Sequence, residues 1–124
     1  MKILIIDDDE ALSEIFSTSL RKAGFLTVLA ATGKDGIEKT KSEAPNLILL
    51  DQILPDMKGN EILKELKSQD ATKNIPIIIL SNFSQEELVK EAINEGASDY
   101  LFKYQVDPKD LVDKVKSALN QNAA

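Results

Sequence analysis

Five short apolar runs, separated by stretches of helical spacing, constrain the fold of this chain more than any other feature. The runs are rich in Ile, Leu and Val, and three of them are almost continuously apolar. Such runs are typical of strands that are buried on both faces of a parallel sheet. The predicted strands are 2–7, 25–30, 46–51, 75–80 and 98–103.

The stretches between these runs predict helices. Apolar residues recur at helical spacing in the first, and Gly24 is placed to end it. The fourth opens at Ser84 with a capping-box pattern and closes at Gly96. The fifth has Asp107 as its N-cap and Pro108 at its first helical position. The second and third helices are predicted at 36–44 and 60–67.

Five alternating strand and helix units predict an α/β fold with a parallel sheet, helices on both faces and right-handed crossovers. The expected architecture is a single doubly wound (βα)5 domain with a five-stranded parallel sheet in the order 2-1-3-4-5, a flavodoxin-like layout. The 124 residues suit one domain. We expect residues 1–120 to form it and 121–124 to be a frayed C-terminal tail.

Composition narrows the chemistry. The chain has no Cys and no His, which excludes thiolate, disulfide and imidazole chemistry and most transition-metal sites. Its net charge of −6 opposes binding to a nucleic-acid backbone. No apolar run approaches the roughly 20 residues that span a bilayer, and the early acidic residues do not fit a signal peptide. A cytoplasmic location is therefore the expectation.

Polar residues follow the predicted strands where a ligand site is expected. In open α/β sheets, ligands bind beyond the carboxyl ends of the strands. These ends carry Asp7, Asp8 and Asp9 on the first strand, Asp51 on the third, Ser81 and Asn82 on the fourth, and Lys103 on the fifth. Gathered carboxylates repel one another unless a cation joins them, and oxygen ligands favour Mg²⁺ or Mn²⁺. With a lysine beside them, they indicate a phosphoryl-transfer site.

Each of these residues also has a simpler interpretation when it is taken alone. Asp8 or Asp9 could be the N-cap of the first helix. Ser81 could be a turn residue, and Lys103 could be a solvated surface lysine. Asp51 is harder to explain in this way, because it ends a buried strand where an unpaired charge is costly.

Two segments resemble those of the receiver family of bacterial response regulators, and the resemblance extends from residue 2 to about 119. The segment Leu-Leu-Asp51-Gln-Ile-Leu-Pro55-Asp-Met-Lys-Gly59 is similar to the phosphoacceptor segment of that family, in which a proline and a glycine shape the loop. The opening Ile-Leu-Ile-Ile-Asp7-Asp8-Asp9 resembles the family's acidic pair.

The resemblance implies a role for each matched residue. Asp51 would accept the phosphoryl group. The ligands of Mg²⁺, for which Mn²⁺ could substitute, would be Asp7, Asp8, Asp51 and the backbone carbonyl of Ile53.

Three further positions match family residues that respond to the phosphoryl group. Ser81 would hydrogen-bond it, and Lys103 would pair with it. Tyr100 matches the aromatic switch position, although ordinary packing also explains a tyrosine there.

The resemblance also implies a function. The domain would be a signalling switch that takes a phosphoryl group from the phosphohistidine of a histidine kinase or phosphotransfer protein. Phosphorylation would shift the face formed by the fourth helix, fifth strand and fifth helix, and the domain would then dephosphorylate itself. No external substrate and no direct nucleic-acid or membrane binding are expected. The partners would be the kinase and an unknown target protein, with a monomer or weak homodimer through that face.

Three departures from the family pattern carry expectations of their own. Tyr104 follows Lys103 where the family usually has proline, so we expect a trans peptide bond and an altered loop. Asn82 replaces a smaller residue and could narrow access to the acceptor. Ile53 and Phe83 are apolar groups at positions that overlook the phosphoryl site, which predicts slow hydrolysis and a long-lived phosphoryl state.

Three other functional interpretations stay open at the level of sequence. A flavin or nucleotide module would share the fold, but the chain lacks a Gly-rich phosphate loop. A haloacid-dehalogenase-type phosphatase would use Asp7 and Asp9, but the chain is short for that class. A degenerate receiver would bind partners without phosphorylation.

Overall fold

In the computed structural model, five strands and five helices alternate along the chain. The structure describes residues 1–82 and 86–123, and of 121–123 the backbone alone. The strands are β1 (Lys2–Ile6), β2 (Leu26–Ala30), β3 (Leu47–Asp51), β4 (Ile77–Ser81) and β5 (Asp99–Phe102). The helices are α1 (Glu10–Lys22), α2 (Gly33–Glu43), α3 (Gly59–Lys67), α4 (Glu86–Asn94) and α5 (Pro108–Ala123).

The five strands form one parallel sheet in the order β2-β1-β3-β4-β5, as the sequence predicts. β1 lies between β2 and β3, with Ile5 opposite Leu29 on one side and Leu49 on the other. Every residue of β3 and β4 is buried. Their continuous apolar character follows from this position, because helices cover both faces of a parallel sheet.

Two apolar cores form, one on each face of the sheet. Along β1, Ile3 and Ile5 enter one core while Leu4 and Ile6 enter the other, because successive side chains of a strand point to opposite faces. The first core adds Phe16, Leu20, Leu111 and Val115 from α1 and α5. The second adds Ile62, Leu63 and Leu66 from α3 and Ala92 from α4. The chain is therefore a three-layer domain.

Among the described residues, side-chain caps start three of the helices. Asp9 accepts a hydrogen bond from the backbone N–H of Leu12 at 3.1 Å and starts α1. Asp107 accepts one from the N–H of Asp110 at 2.8 Å and starts α5, as predicted. Thr32 caps α2 through the N–H of Asp35 at 3.1 Å. The prediction that this helix starts at residue 36 is wrong, because this cap extends it three residues toward the N-terminus.

Residues with positive φ follow three helices. Gly24 and Gly96 follow α1 and α4 with φ of 99° and 104°, consistent with the predicted helix ends. Ala44, the C-cap of α2, has φ 45° and ψ 60°, a left-handed conformation that is strained for a residue with a Cβ.

Two predictions concern the start of α4 and the C-terminal end of the chain. The predicted cap at Ser84 lies outside the described residues. α5 extends to Ala123, and the frayed tail at 121–124 stays a prediction. Within residues 1–82 and 86–123, none of the helices has the length and apolar character that crossing a bilayer requires.

Candidate functional site

The parallel register brings four polar residues to one edge of the sheet. Asp7 follows β1, Asp51 ends β3, Ser81 ends β4 and Lys103 follows β5. Asp51 lies opposite Leu80, and Ser81 lies opposite Phe102. Because neighbouring parallel strands end together, residues that are far apart in sequence meet here, as the sequence analysis predicts.

Lys103 joins the two buried carboxylates. Its Nζ lies 2.9 Å from Oδ1 and 2.8 Å from Oδ2 of Asp7, and 3.3 Å from Oδ2 of Asp51. All three side chains are almost fully buried. Burial of a charged group is costly without a partner, so each ion here depends on the others. Lys103 is thus not a solvated surface lysine.

The surroundings shift the pKa values of both partners. Burial, followed by the negative charge of Asp7, raises the pKa of Asp51 from 3.8 to about 7, although Lys103 opposes this shift. Burial lowers the pKa of Lys103, but its hydrogen bond with Asp7 and the charges of Asp51 and Asp7 outweigh burial and leave that pKa raised. Without a bound cation, the positive charge of Lys103 alone does not neutralise the negative charges of the carboxylates around it.

The carboxylates can hold a divalent cation. Asp7, Asp8 and Asp51 each offer one oxygen, and these three oxygens lie within 4.8 Å of one another. Oδ2 of Asp7 is buried and has no aligned hydrogen bond, although Lys103 Nζ lies 2.8 Å away. Asp8 is exposed and provides an open side from which an ion and its waters can enter. An all-oxygen set of this kind fits Mg²⁺ or Mn²⁺.

Asp9 has a different role from its two acidic neighbours. Its side chain caps α1, and its backbone N–H donates to Oδ1 of Asp7 at 2.9 Å. The cap interpretation therefore applies to Asp9 and not to Asp8. Asp9 thereby helps to orient the Asp7 carboxylate, both of whose oxygens lie within 2.9 Å of Lys103 Nζ.

The loop between β3 and α3, residues 52–58, folds back on itself beside Asp51. Ile53 and Lys58 form an antiparallel bridge, and the N–H of Gly59 donates to the carbonyl of Gln52 at 2.6 Å. A Cβ on Gly59 would lie only 2.6 Å from the backbone oxygen of Asp51. Gly59 is therefore required by this close approach, while Pro55 lies exposed at the tip of the loop.

Asp56 ties this loop to α2, a contact that the sequence analysis missed. Its carboxylate accepts hydrogen bonds from the backbone N–H groups of Gly33 at 2.8 Å and Lys34 at 3.0 Å. These hydrogen bonds lower the pKa of Asp56. An acidic residue can bind the N-terminus of any helix that lies near it in the fold. The local sequence around Asp56 therefore does not predict a partner 23 residues away.

A buried amide pair, also missed, lies on the other side of the loop. Gln52 Nε2 donates to Asn60 Oδ1 at 3.0 Å, and the backbone N–H of Asn60 donates to Gln52 Oε1 at 3.0 Å. Both side chains are buried. The only signal in the sequence was a polar residue directly after the buried β3 strand.

Four further residues were predicted to act at this site, and the structure describes three of them. Ser81 is buried and Asn82 is exposed. Phe83 lies outside the described residues. Tyr100 is buried, with its ring centroid 5.8 Å from that of Phe102. The roles given to these residues stay predictions.

The bond between Lys103 and Tyr104 is trans, as expected from the absence of proline. Tyr104 is largely exposed, and its hydroxyl donates to Oδ2 of Asp9 at 3.4 Å. The segment after β5 thus reaches across to the residue that caps α1.

Comparison with known proteins identifies relatives over nearly the whole chain. The family model for the response regulator receiver domain matches residues 3–116. The DNA-binding response regulator MtrA of Mycobacterium tuberculosis is 33% identical over 121 residues, which cover 98% of this chain and 51% of that protein. The chain thus spans about half the length of these curated relatives.

Solved structures agree with this assignment. A CheY-like response regulator receiver domain protein from Methanospirillum hungatei superimposes with a TM-score of 0.92 at 33% identity, covering 98% of this chain and 95% of that one. A two-component response regulator from Clostridium difficile gives 0.92 at 30% identity, covering 100% and 99%. The order of the strands, the acidic cluster at their carboxyl ends and these matches together show that the chain belongs to the response regulator receiver domain family.

Proposed function

We propose that this domain is a phosphorylation-activated signalling switch whose acceptor is Asp51. The observation that carries the proposal is the contact of Asp51 with Lys103 at 3.3 Å, inside a cluster with the carboxylates of Asp7 and Asp8. Receiver domains of response regulators receive phosphoryl groups from histidine kinases. A strand-end carboxylate beside a lysine and a metal-competent acidic pair suits that transfer.

The transfer requires a nucleophile and a means of balancing charge. A carboxylate oxygen of Asp51 attacks the phosphorus of a phosphohistidine, the new P–O bond forms, and the P–N bond breaks with its electron pair returning to the imidazole nitrogen. The ammonium of Lys103 then pairs with a phosphoryl oxygen as well as with Asp7. Placing these groups beforehand removes much of the cost of orientation.

A divalent ion belongs to the proposal, and Mg²⁺ is the expected one. Asp7, Asp8, Asp51 and the backbone carbonyl of Ile53 would hold it, with Mn²⁺ as an acceptable substitute. When bound, the ion neutralises charge on the phosphoryl oxygens. Burial, followed by the negative charge of Asp7, raises the pKa of Asp51, and a bound ion would offset the second of these effects.

Phosphorylation would change the surface through Ser81 and Tyr100. The Ser81 hydroxyl would donate to a phosphoryl oxygen, and Tyr100 would favour its inward position. The face formed by α4, β5 and α5 would then shift toward a state that exists before phosphorylation, by the difference in interaction energy between the two states. That face would bind an unknown target protein or a second copy of the domain in a weak homodimer.

The domain would also reset itself. Water attacks the phosphorus, the P–O bond to Asp51 breaks, and inorganic phosphate leaves a free carboxylate. Ile53 is 44% exposed beside the acceptor. With Phe83 and Asn82 it would restrict the approach of water and lengthen the phosphoryl state. This reset acts on the domain itself, so no external substrate is involved.

The wider setting follows from the donor. The proposed donor is a histidine kinase or phosphotransfer protein, and the proposed location of the domain is the cytoplasm. The chain spans about half the length of its curated relatives. We therefore also propose that the domain can control an output activity located in the rest of a longer protein.

Intact mass after incubation with acetyl phosphate and Mg²⁺ tests the proposal. We expect one added phosphoryl group on the wild type, none on Asp51→Asn, and none on the wild type with excess EDTA. Addition to Asp51→Asn at the same rate would mean that another residue is the acceptor. No addition to the folded wild type would instead favour the degenerate receiver.

A further inference from the structure

Gln52, which directly follows Asp51, is buried and has a partner for each of its hydrogen-bonding groups. It is only 1% exposed. Its backbone N–H donates to the carbonyl of Leu80 at 3.0 Å, and its backbone carbonyl accepts from the N–H of Gly59 at 2.6 Å. Its Oε1 accepts from the N–H of Asn60, and its Nε2 donates to Asn60 Oδ1, both at 3.0 Å. Rotation of this residue is costly, because it would leave buried polar groups unpaired.

Two of these hydrogen bonds start α3 from a distant position in the sequence. Lys58 is the N-cap residue and has an extended backbone, but its side chain makes no capping hydrogen bond. The first two N–H groups of the helix, those of Gly59 and Asn60, donate instead to the carbonyl and the side-chain oxygen of Gln52. Since a backbone N–H can only donate, the N–H of Asn60 also identifies which atom of the Gln52 amide is the oxygen. The residue after the acceptor therefore caps α3.

The same hydrogen bonds set the backbone on both sides of Gln52. The bond of its N–H to β4 fixes the peptide group that joins it to Asp51. Its carbonyl points at Gly59, and the N–H of Ile53 belongs to the same planar, trans peptide group. That N–H must therefore point the opposite way. It lies 3.4 Å from Oδ1 of Asp51, so the cap of α3 and the contact with the acceptor are two sides of one peptide group.

Each oxygen of the Asp51 carboxylate thus has a neighbour that is held by another element. Oδ1 faces the N–H of Ile53 at 3.4 Å, and Oδ2 faces Lys103 Nζ at 3.3 Å. Lys103 is held by its position after β5, whereas the N–H of Ile53 is held through Gln52 by α3. Gly59 permits this arrangement, because a Cβ there would lie only 2.9 Å from the Cα of Gln52.

We propose that Gln52 is a positioning residue for the acceptor. Its side chain ties the start of α3 to the end of β3, and this tie orients the peptide group that faces Asp51 Oδ1. Gln52 acts through Asp51 and Ile53 and does not itself hold the ion. The inference rests on the proposed roles of Asp51 and the Ile53 carbonyl as metal ligands. Ligands that are ordered in advance bind an ion more tightly, because less freedom is lost on binding.

Two substitutions separate capping from positioning. Gln52→Met keeps the length of the side chain and removes its hydrogen bonds with Asn60, so the Tm and the Mg²⁺ affinity should both fall. Lys58→Ser gives α3 a local cap, with Glu61 three residues later as in a capping box. In the variant that carries both substitutions, the local cap should raise the Tm again. Its Mg²⁺ affinity should stay at least about threefold below that of Lys58→Ser, a smaller loss than the roughly tenfold typical for direct partners of metal ligands.

Isothermal titration with MgCl₂ at one pH and ionic strength measures the affinity, and circular dichroism measures the Tm. Lys58→Ser is the matched control, because it shares its charge and its local cap with the double variant. Leu111→Ala controls for stability: it truncates a buried side chain in the core on the other face of the sheet, so it should lower the Tm and keep the Mg²⁺ affinity.

The outcomes distinguish this inference from the proposed function. Equal Mg²⁺ affinity of the double variant and Lys58→Ser would overturn the inference and leave Gln52 as a helix cap alone. An equal loss of affinity in Leu111→Ala would also overturn it, because the loss would then follow from stability. A wild type that binds Mg²⁺ but accepts no phosphoryl group would contradict the proposed function only. A wild type without Mg²⁺ affinity would contradict the ligand role of Asp51 and this inference with it.

Discussion

The carboxylate of Asp51 is buried, so water screens its charge poorly. Lys103 contacts this carboxylate and also holds a second one, that of Asp7, close to it. Burial and this like charge raise the pKa of Asp51 to about 7, so the folded domain without a cation retains a proton that the unfolded chain loses near 3.8. The same crowding on which the proposed roles of Asp51 as metal ligand and nucleophile depend therefore costs stability at neutral pH.

Asp51→Asn is expected to stabilise the cation-free domain in a pH-dependent way. Because the folded-state pKa lies above the unfolded value, the wild type loses stability as pH rises from about 4 through about 7. At pH 8 the variant should be the more stable of the two, and near pH 4 the two should be equally stable. Urea unfolding in EDTA measures the difference. Asp70→Asn, at a fully exposed carboxylate, is the control, and a pH-independent difference for Asp51→Asn would contradict the argument.

Gly59→Ala is expected to disturb the site through the backbone of Asp51. The new Cβ would lie 2.6 Å from the Asp51 carbonyl oxygen, and a backbone atom cannot turn aside as a flexible side chain can. We expect a loss of about 1–3 kcal/mol and weaker Mg²⁺ binding, measured by urea unfolding and by titration.

Gly24→Ala provides the comparison for that variant. Gly24 has φ 99° but open space around it, so this substitution should cost stability, by about 1–2 kcal/mol, and leave Mg²⁺ affinity unchanged. Equal losses of Mg²⁺ affinity in the two variants would show that the close approach at Gly59 has no special bearing on the site.

At the scale of elements, local signals located most of the fold. The apolar runs predicted all five strands to within two residues at each end, and Asp107 and Gly24 marked helix ends correctly. The start of α2 was wrong because a side-chain cap at Thr32 outweighs the low helix propensity of the two glycines that follow it.

The site was predictable in part for a similar reason. The sequence places Asp7, Asp51 and Lys103 at the ends of predicted strands. Because parallel strands end together at one edge of the sheet, this placement predicts that the three residues lie close together. The contacts of Asp56 with α2, and of Gln52 with Asn60, depend on which loop meets which helix. The spacing of residues along the sequence does not indicate which loop contacts which helix, so these contacts are seen only in the folded structure.

Ala44→Gly is expected to stabilise the end of α2. Ala44 is exposed and has a left-handed backbone, which costs a residue with a Cβ about 1–2 kcal/mol, while glycine loses more entropy on folding. A net gain of about 0.5–1 kcal/mol in the free energy of unfolding is expected from urea titration. Ala11→Gly, in the first turn of α1, should destabilise the domain. A destabilised Ala44→Gly would refute the strain.

Asp56→Ala is expected to loosen the N-terminus of α2. Its carboxylate accepts two backbone N–H hydrogen bonds, and the substitution leaves the amides of Gly33 and Lys34 to water. Hydrogen exchange at these amides should become faster, and the Tm should fall. Asp56→Asn keeps a single acceptor oxygen, so its exchange rates and Tm should lie between those of the wild type and Asp56→Ala. Unchanged exchange at both amides would show that the contact is not maintained in solution.

At the scale of the whole molecule, one sheet separates two cores that share every central strand. Because alternate residues of β1 enter opposite cores, neither core can form without the sheet. The two faces should therefore unfold together, as is usual for a single domain of this size.

Truncation of one fully buried leucine in each core tests that unity. Leu63→Ala and Leu111→Ala should each cost about 2–5 kcal/mol, and both should retain a single unfolding transition by circular dichroism and fluorescence. Ile15→Ala, at a half-exposed site on α1, should change stability by no more than about 0.5 kcal/mol. Two separate transitions in either leucine variant would mean that the cores are independent.

The ion pair between Lys103 and Asp7 joins residues that lie 96 positions apart. During synthesis, the first strand and its carboxylates leave the ribosome long before the lysine does. A growing chain therefore carries a group of neighbouring negative charges with no internal counter-ion until its last strand is in place. The cluster of Asp7, Asp51 and Lys103, on which the proposed phosphorylation depends, is thus complete only when translation of the domain is nearly finished, and a product that stops before β5 would lack the lysine.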